Sequence, residues 1–136
     1  MNKYRELKER HQKEVNEFPM FFAFSNKQFE EGKAKLGITD NSELIDIGYG
    51  GFIRGSDKQA YIDMHKRFEI EHKESMKDEE YCYHMFRYEL GNHEYCITRD
   101  FEDTFSACGL TEEEVTTNPM LMSALGRARQ DYLRGC

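Results

Sequence analysis

Three groups of residues in this chain carry side chains able to do chemistry. His65, Glu69 and His72 recur at i, i+4 and i+7, which is one face of a helix, and that set suits a divalent metal or acid–base work. Cys82-x-His84 and His93-x-x-Cys96 supply two sulfurs and two imidazoles, the donor set of tetrahedral zinc. The third group is the run GYGGFIRGS at 48–56. There Gly50, Gly51, Arg54 and Ser56 combine a backbone reversal, a guanidinium and the start of a helix, a combination that can hold phosphate or carboxylate. A tyrosine such as Tyr49 would then stack on a base.

Each group also has an ordinary structural explanation. Cys82 and His84 sit two apart on a predicted helix, about 200° round its axis, so they do not share one ion easily. A packed cysteine and hydrogen-bonded histidines are expected there, and no metal is assigned. The His65 face also carries Tyr61 and Phe68, so histidines at its margin are ordinary packing residues; there is no HExxH, and His93-Glu94 lacks a second histidine. The chain has no GxSxG and no Walker loop, and the glycine run lacks a P-loop's lysine and spacing. No catalytic residue and no cofactor is assigned. Arg54 has a structural alternative of its own, pairing across the hairpin with Glu43 or Asp46.

The elements that must position these residues follow from pattern. The spacing of Tyr4, Leu7, His11 and Val15 predicts a helix over Lys3–Glu17, ended by Phe18-Pro19. Residues 18–24 hold four phenylalanines, a core plug or else a partner-facing aromatic patch. Ser25 with Gln28 predicts a capped helix to Leu36 and a glycine stop at Gly37. Leu44–Ile47 and Phe52–Ile53 flank three glycines in four residues, predicting a hairpin. Ser56 with Gln59 predicts a helix from Asp57 to about Met76. A further helix should run from Asp78 to Leu90 and stop at Gly91-Asn92. Glu94–Thr98 reads as a strand able to join the hairpin. Then come a short helix near Phe101–Cys108, a Gly109 stop, a Thr111/Glu114 capping box, and a last helix capped by Asn118-Pro119. Phe101–Thr111 faintly repeats Phe29–Thr39. The expected fold is α+β: one mostly helical compact domain over 1–136, with a small antiparallel sheet built from the glycine hairpin and one short strand.

Composition narrows the function classes. The 136 residues are 38% hydrophobic and 33% charged, with 10 Phe and 8 Tyr, an aromatic weight at odds with disorder. Between Glu69 and Glu114 there are 14 acidic and 4 basic side chains, so that stretch nets −10 of an overall −7 and the rest nets +3. Direct nucleic-acid binding, which calls for a basic patch, is not expected. An acidic face carrying Asp78, Glu79, Glu80, Glu112, Glu113 and Glu114 would suit a partner protein with a basic surface. No signal peptide and no apolar run of about 18 residues is seen, so a membrane role is not expected. Cys82, Cys96, Cys108 and Cys136 are scattered without a CxxC, and reduced thiols are expected rather than a disulfide framework.

GYGGFIR, FPMFFAFSNKQFEEG and YELGNHEYCITRDFEDTFSACGLTEEEV, spread over nearly the whole chain, resemble small uncharacterised proteins of phages and bacterial mobile elements. The resemblance transfers no functional residue. It implies a setting, the cytoplasm of a bacterial host during expression of phage or prophage genes. In that setting the expected function is a non-enzymatic accessory protein that binds a host or phage protein, as an anti-defence inhibitor does. Two alternatives stand beside it: a binder of a nucleotide or small phosphate ligand at the glycine hairpin, and a metal-dependent hydrolase using His65, Glu69 and His72 with His93 and Glu94.

Overall fold

A computed structural model describes residues 2–136. Among them are eight α-helices and a three-stranded antiparallel sheet, so the mostly helical α+β class read from the sequence is the class found. The order is α1 (Lys3–Glu17), β1 (Met20–Phe22), α2 (Asn26–Leu36), β2 (Leu44–Gly48), β3 (Gly51–Arg54), α3 (Lys58–Ser75), α4 (Glu79–Asn92), α5 (Tyr95–Thr98), α6 (Glu102–Cys108), α7 (Glu112–Thr116) and α8 (Pro119–Leu133). Packing divides the chain into two units. One is continuous, His11–Ile70; the other joins the residues up to Arg10 with Glu71–Cys136.

In the continuous unit the sheet order is β1-β3-β2. Phe21 lies opposite Phe52 and Met20 opposite Ile53, while Ile45 faces Ile53 from the other side. Opposed residues share a face, so Phe21 and Phe52 stack on one side, 5.4 Å between centroids, and meet Phe29 of α2. Gly32 lets α2 approach closely. A Cβ there would stand 2.1 Å from the Phe21 ring.

In the other unit, α4 and α8 form the centre. Tyr81, Cys82, Met85, Phe86 and Leu90 of α4 are buried with Leu121, Ala124, Leu125 and Ala128 of α8. Tyr4, Leu7, Phe105, Cys108 and Val115 complete the cluster. Several boundaries are set by the local signals expected of them. Asn118 accepts from the amides of Met120 and Leu121 ahead of α8, and Thr111 with Glu114 forms a complete capping box. Gly37 and Gly109 both take φ of 71°. The next amide in each case, Ile38 or Leu110, reaches back to Lys33 or Phe105 at 2.9 Å, so the faint sequence repeat is one helix stop used twice.

Four expectations are corrected. Glu94–Thr98 is not a strand: Tyr95–Thr98 is a helical turn entered through left-handed Glu94. A strand there would bury Tyr95 and Ile97 together, whereas Tyr95 is buried on Phe101 and Ile97 stays exposed. Met20–Phe22 supplies the third strand instead. Gly91-Asn92 does not stop α4, which runs to Asn92. Ser56 does not cap α3. The helix is entered through a 3-10 turn, Gly55–Asp57, and Gln59 bonds forward to Asp63 rather than back. Finally, Cys96 and Cys136 form a disulfide, with Cα atoms 6.1 Å apart, and only Cys82 and Cys108 are free and buried. Forty residues separate the bonded pair, a spacing that carries no local signature.

Candidate functional site

Gly48, Tyr49 and Gly50 have φ of 90°, 53° and 80° in succession. Glycine takes such values freely, but a tyrosine there is strained by about 1 kcal/mol or more. Asp46 Oδ1 accepts from the Gly48 amide at 2.7 Å, and the Ala23 amide donates to the Gly50 carbonyl at 2.9 Å. The hairpin tip is thereby pinned to the exit of β1. What this strained tip presents is a phenol 96% exposed to solvent.

Two further rings join it. Phe24 is 77% exposed and Phe22 54%. The Phe24 ring lies over Gly50, where an added Cβ would come within 2.6 Å of it. Phe22 lies over Gly51 at 3.0 Å by the same measure, beside Ile47 at 2.9 Å. The glycines therefore serve as flat seats for aromatic rings. The Phe24 backbone is fixed in turn, its amide donating to Gln28 Oε1 at 2.7 Å. Of the two readings of the phenylalanine-rich run, core applies to Phe21 and exposed patch to Phe22 and Phe24.

The residues assigned to an anion site do not converge. Tyr49 and Gly50 stand at the tip and Gly51 opens β3, whereas Arg54 closes that strand roughly 10 Å away at strand spacing and Ser56 lies beyond it. Arg54 Nε donates to Asp57 Oδ2 at 2.7 Å, so its structural partner is Asp57 rather than Glu43 or Asp46. Ser56 is exposed.

The acidic residues have separate duties. Asp78 caps α4 and pairs with Lys3 at 2.9 Å, an arrangement that holds its carboxyl below the usual range, the Lys3 hydrogen bond first and the Glu80 amide second. Glu79 and Glu80 pair with Arg127 at 3.6 and 2.9 Å. Glu112 and Glu113 are exposed in the first turn of α7, and Glu114 returns to the Thr111 amide.

The histidines are engaged in packing and hydrogen bonds. His72 Nε2–H donates to the Cys108 carbonyl at 2.8 Å, which leaves Nδ1 to accept from the Tyr81 hydroxyl at 2.6 Å. Both ring nitrogens are thus used. His65 packs against Tyr61 and Phe68, and His84 against Tyr83. Cys82 Sγ donates to the Met76 carbonyl. Among the described residues no three His, Cys, Asp or Glu side chains are grouped to hold a metal ion, and no helix is long and apolar enough to cross a membrane.

One polar knot was not anticipated. Glu89 is buried, and its Oε1 accepts from the Tyr4 hydroxyl at 2.6 Å and Lys8 Nζ at 3.3 Å, while His93 Nε2 donates to Oε2 at 3.2 Å. Burial and this carboxylate push the Tyr4 phenol far above its ordinary value. The available signal was two i, i+4 pairs, Tyr4/Lys8 on one helix and Glu89/His93 on another.

A protein-family model described as a family of unknown function, DUF7659, matches residues 3–131. No curated protein and no solved structure matches the chain.

Proposed function

The chain belongs to the DUF7659 family, and from that premise we propose that it is a non-enzymatic binding protein that docks a partner protein through the aromatic tip of its hairpin. The observation that carries this reading is that Phe22, Phe24 and Tyr49 are each exposed, the two phenylalanines over Gly51 and Gly50 and the tyrosine at the strained turn beside them. Rigid aromatic rings bring large contact area at low entropic cost, and such residues dominate interface energetics. Exposed Glu112 and Glu113 add a preference for a basic partner surface, mainly through encounter rate. The resemblance to phage and mobile-element proteins supports a setting in the bacterial cytoplasm, with a host or phage protein as target and a host defence protein as the class to test first. The phosphate-ligand reading is weaker, because Arg54 is held by Asp57 and stands at the far end of β3 from Tyr49.

The test is affinity capture from a bacterial host, with the wild-type chain beside Phe24→Ser/Tyr49→Ser as bait. Each ring lost from a hot spot weakens binding by about 2 kcal/mol, or about 30-fold. A partner held by wild type and lost by the double variant, with both baits melting alike, supports the reading. A partner retained equally by both removes the tip from it, and no protein held above an unrelated bait removes binding itself.

A further inference from the structure

A cleft of about 830 Å³ is lined by Arg87, Cys96, Asp131, Tyr132, Arg134 and Cys136, among others. The Cys96–Cys136 disulfide is therefore part of a cleft wall rather than of a packed interior. Cys136 is exposed and Cys96 half-buried, and their Cα spacing of 6.1 Å lets the bond open and re-form without backbone movement. The other two cysteines are fully buried. Burial pushes the Cys82 thiol up to about 12 and raises Cys108 as well, which keeps both out of exchange.

Two guanidiniums face the same cleft. A guanidinium has five donors. Arg87 Nη1 donates to the Tyr83 hydroxyl at 2.9 Å and Arg134 Nη1 to Asp131 Oδ1 at 3.2 Å, which leaves donors on each fork. A carboxylate already rests among these groups: Asp131 accepts from Tyr83 at 2.5 Å and is flanked by Arg134, Arg87 and Arg127. The cleft thus joins an accessible disulfide to arginines that suit carboxylates, in a chain whose net charge is −7.

We propose that the Cys96–Cys136 pair is a thiol–disulfide exchange site for a carboxylate-bearing low-molecular-weight thiol of the glutathione class, oriented by Arg87 and Arg134. The incoming thiolate sulfur attacks Cys136 Sγ; the Cys96–Cys136 bond breaks, and its electron pair leaves on Cys96, which takes up a proton. A second thiolate attacks the small-molecule sulfur of the mixed disulfide, freeing Cys136 as a thiolate that is then protonated, and releases the oxidised small disulfide. The protein pair gains two electrons and two protons, and the two small thiols lose them. Reduction removes the covalent tie between α5, a four-residue helix bracketed by left-handed Glu94 and Arg99, and the chain just past α8, and leaves the hydrogen bonds of the Cys96 amide to Tyr132 and of Arg129 to Tyr95.

The experiment has two parts. Non-reducing peptide mapping of the purified, alkylated protein should find Cys96 linked to Cys136 and alkyl groups on Cys82 and Cys108; all four cysteines alkylated would overturn the proposal. Rates of reduction by glutathione and by 2-mercaptoethanol are then compared in wild type, Arg87→Gln and Arg134→Gln. The ratio of the glutathione rate to the 2-mercaptoethanol rate should fall about three- to tenfold in each variant, and in wild type on adding salt. Circular dichroism checks each fold, and the wild-type salt series stands alone if a variant misfolds. A ratio indifferent to both arginines or to salt would overturn the guided site.

Discussion

Replacing Tyr4 by phenylalanine removes one oxygen and leaves a buried carboxylate short of its best donor. Tyr4 is 4% exposed and the Glu89 side chain 2%, so water does not readily take the vacated place. A hydrogen bond to a charged group contributes about 1.5–3 kcal/mol, and an unsatisfied buried acceptor adds to the loss. Lys8 and His93 remain on Glu89 and limit the damage. The expected loss for Tyr4→Phe at pH 7 is therefore about 2–3 kcal/mol, a midpoint about 1 M lower in urea. The alkaline limb supplies an independent sign. The folded phenol is raised above its ordinary value of 10.0, so above pH 10 the unfolded chain sheds this proton while the folded chain keeps it. The unfolded state then binds fewer protons, and stability falls by about 1.4 kcal/mol per pH unit for such a group. Tyr81, Cys82 and Cys108 are raised too, chiefly by burial, and contribute in the same direction. The variant should lose one proton's worth of that slope and keep the rest. Urea titrations followed by far-UV circular dichroism at pH 7 and through pH 10–11 measure both quantities. A variant within about 0.5 kcal/mol of wild type at pH 7 and equally steep above pH 10 would refute the role given to this bond.

Gly32→Ala and Gly126→Ala should move melting temperature in opposite directions. The first drives a Cβ into the Phe21 ring and costs about 1–3 kcal/mol, while the second meets nothing within 4 Å and gains up to about 1 kcal/mol of helix propensity. Thr111→Ala breaks the capping box ahead of α7 and should cost about 0.5–2 kcal/mol in chemical denaturation, with no change at the hairpin tip. Arg54→Ala loses a half-exposed pair with Asp57 and should cost less than about 1 kcal/mol; inorganic phosphate should leave the melting temperature of wild type and variant equally unmoved. A phosphate-induced rise in wild type alone would return the anion site to the hairpin.

Helix ends were the most legible part of the sequence, because caps and glycine stops are written within five or six residues. Ser25, Asn118, Thr111/Glu114, Gly37 and Gly109 all do what their neighbours imply. Ser56/Gln59 has the same letters and fails, since Arg54 and Asp57 close a 3-10 turn across the start of α3. Strand identity was less legible. Glu94–Thr98 alternates correctly, yet it does not bury Ile97; Met20–Phe22 gains its strand only through β3, some 30 residues on by register. The hairpin tip was found from its glycines. The phenylalanines of 18–24 were read as core or as exposed patch without a division between them, because which ring is exposed depends on what the fold leaves uncovered. The Glu89 knot and the Cys96–Cys136 bond join residues 85 and 40 apart, beyond the reach of any local pattern.

The interrupted path of the chain through its two units has a consequence during synthesis. Tyr4 and Leu7 belong to a cluster whose other members lie beyond residue 80, and Tyr4 must wait 85 residues for Glu89. At roughly 5–20 residues per second, that is several seconds on the ribosome with an amphipathic helix unsatisfied. His11–Ile70, by contrast, holds its sheet and α2 within one unbroken segment and can complete them first. The opening helix is thus made early and seated late, and conditions that slow translation should lengthen the interval in which Tyr4 and Leu7 are open to chaperones and to aggregation.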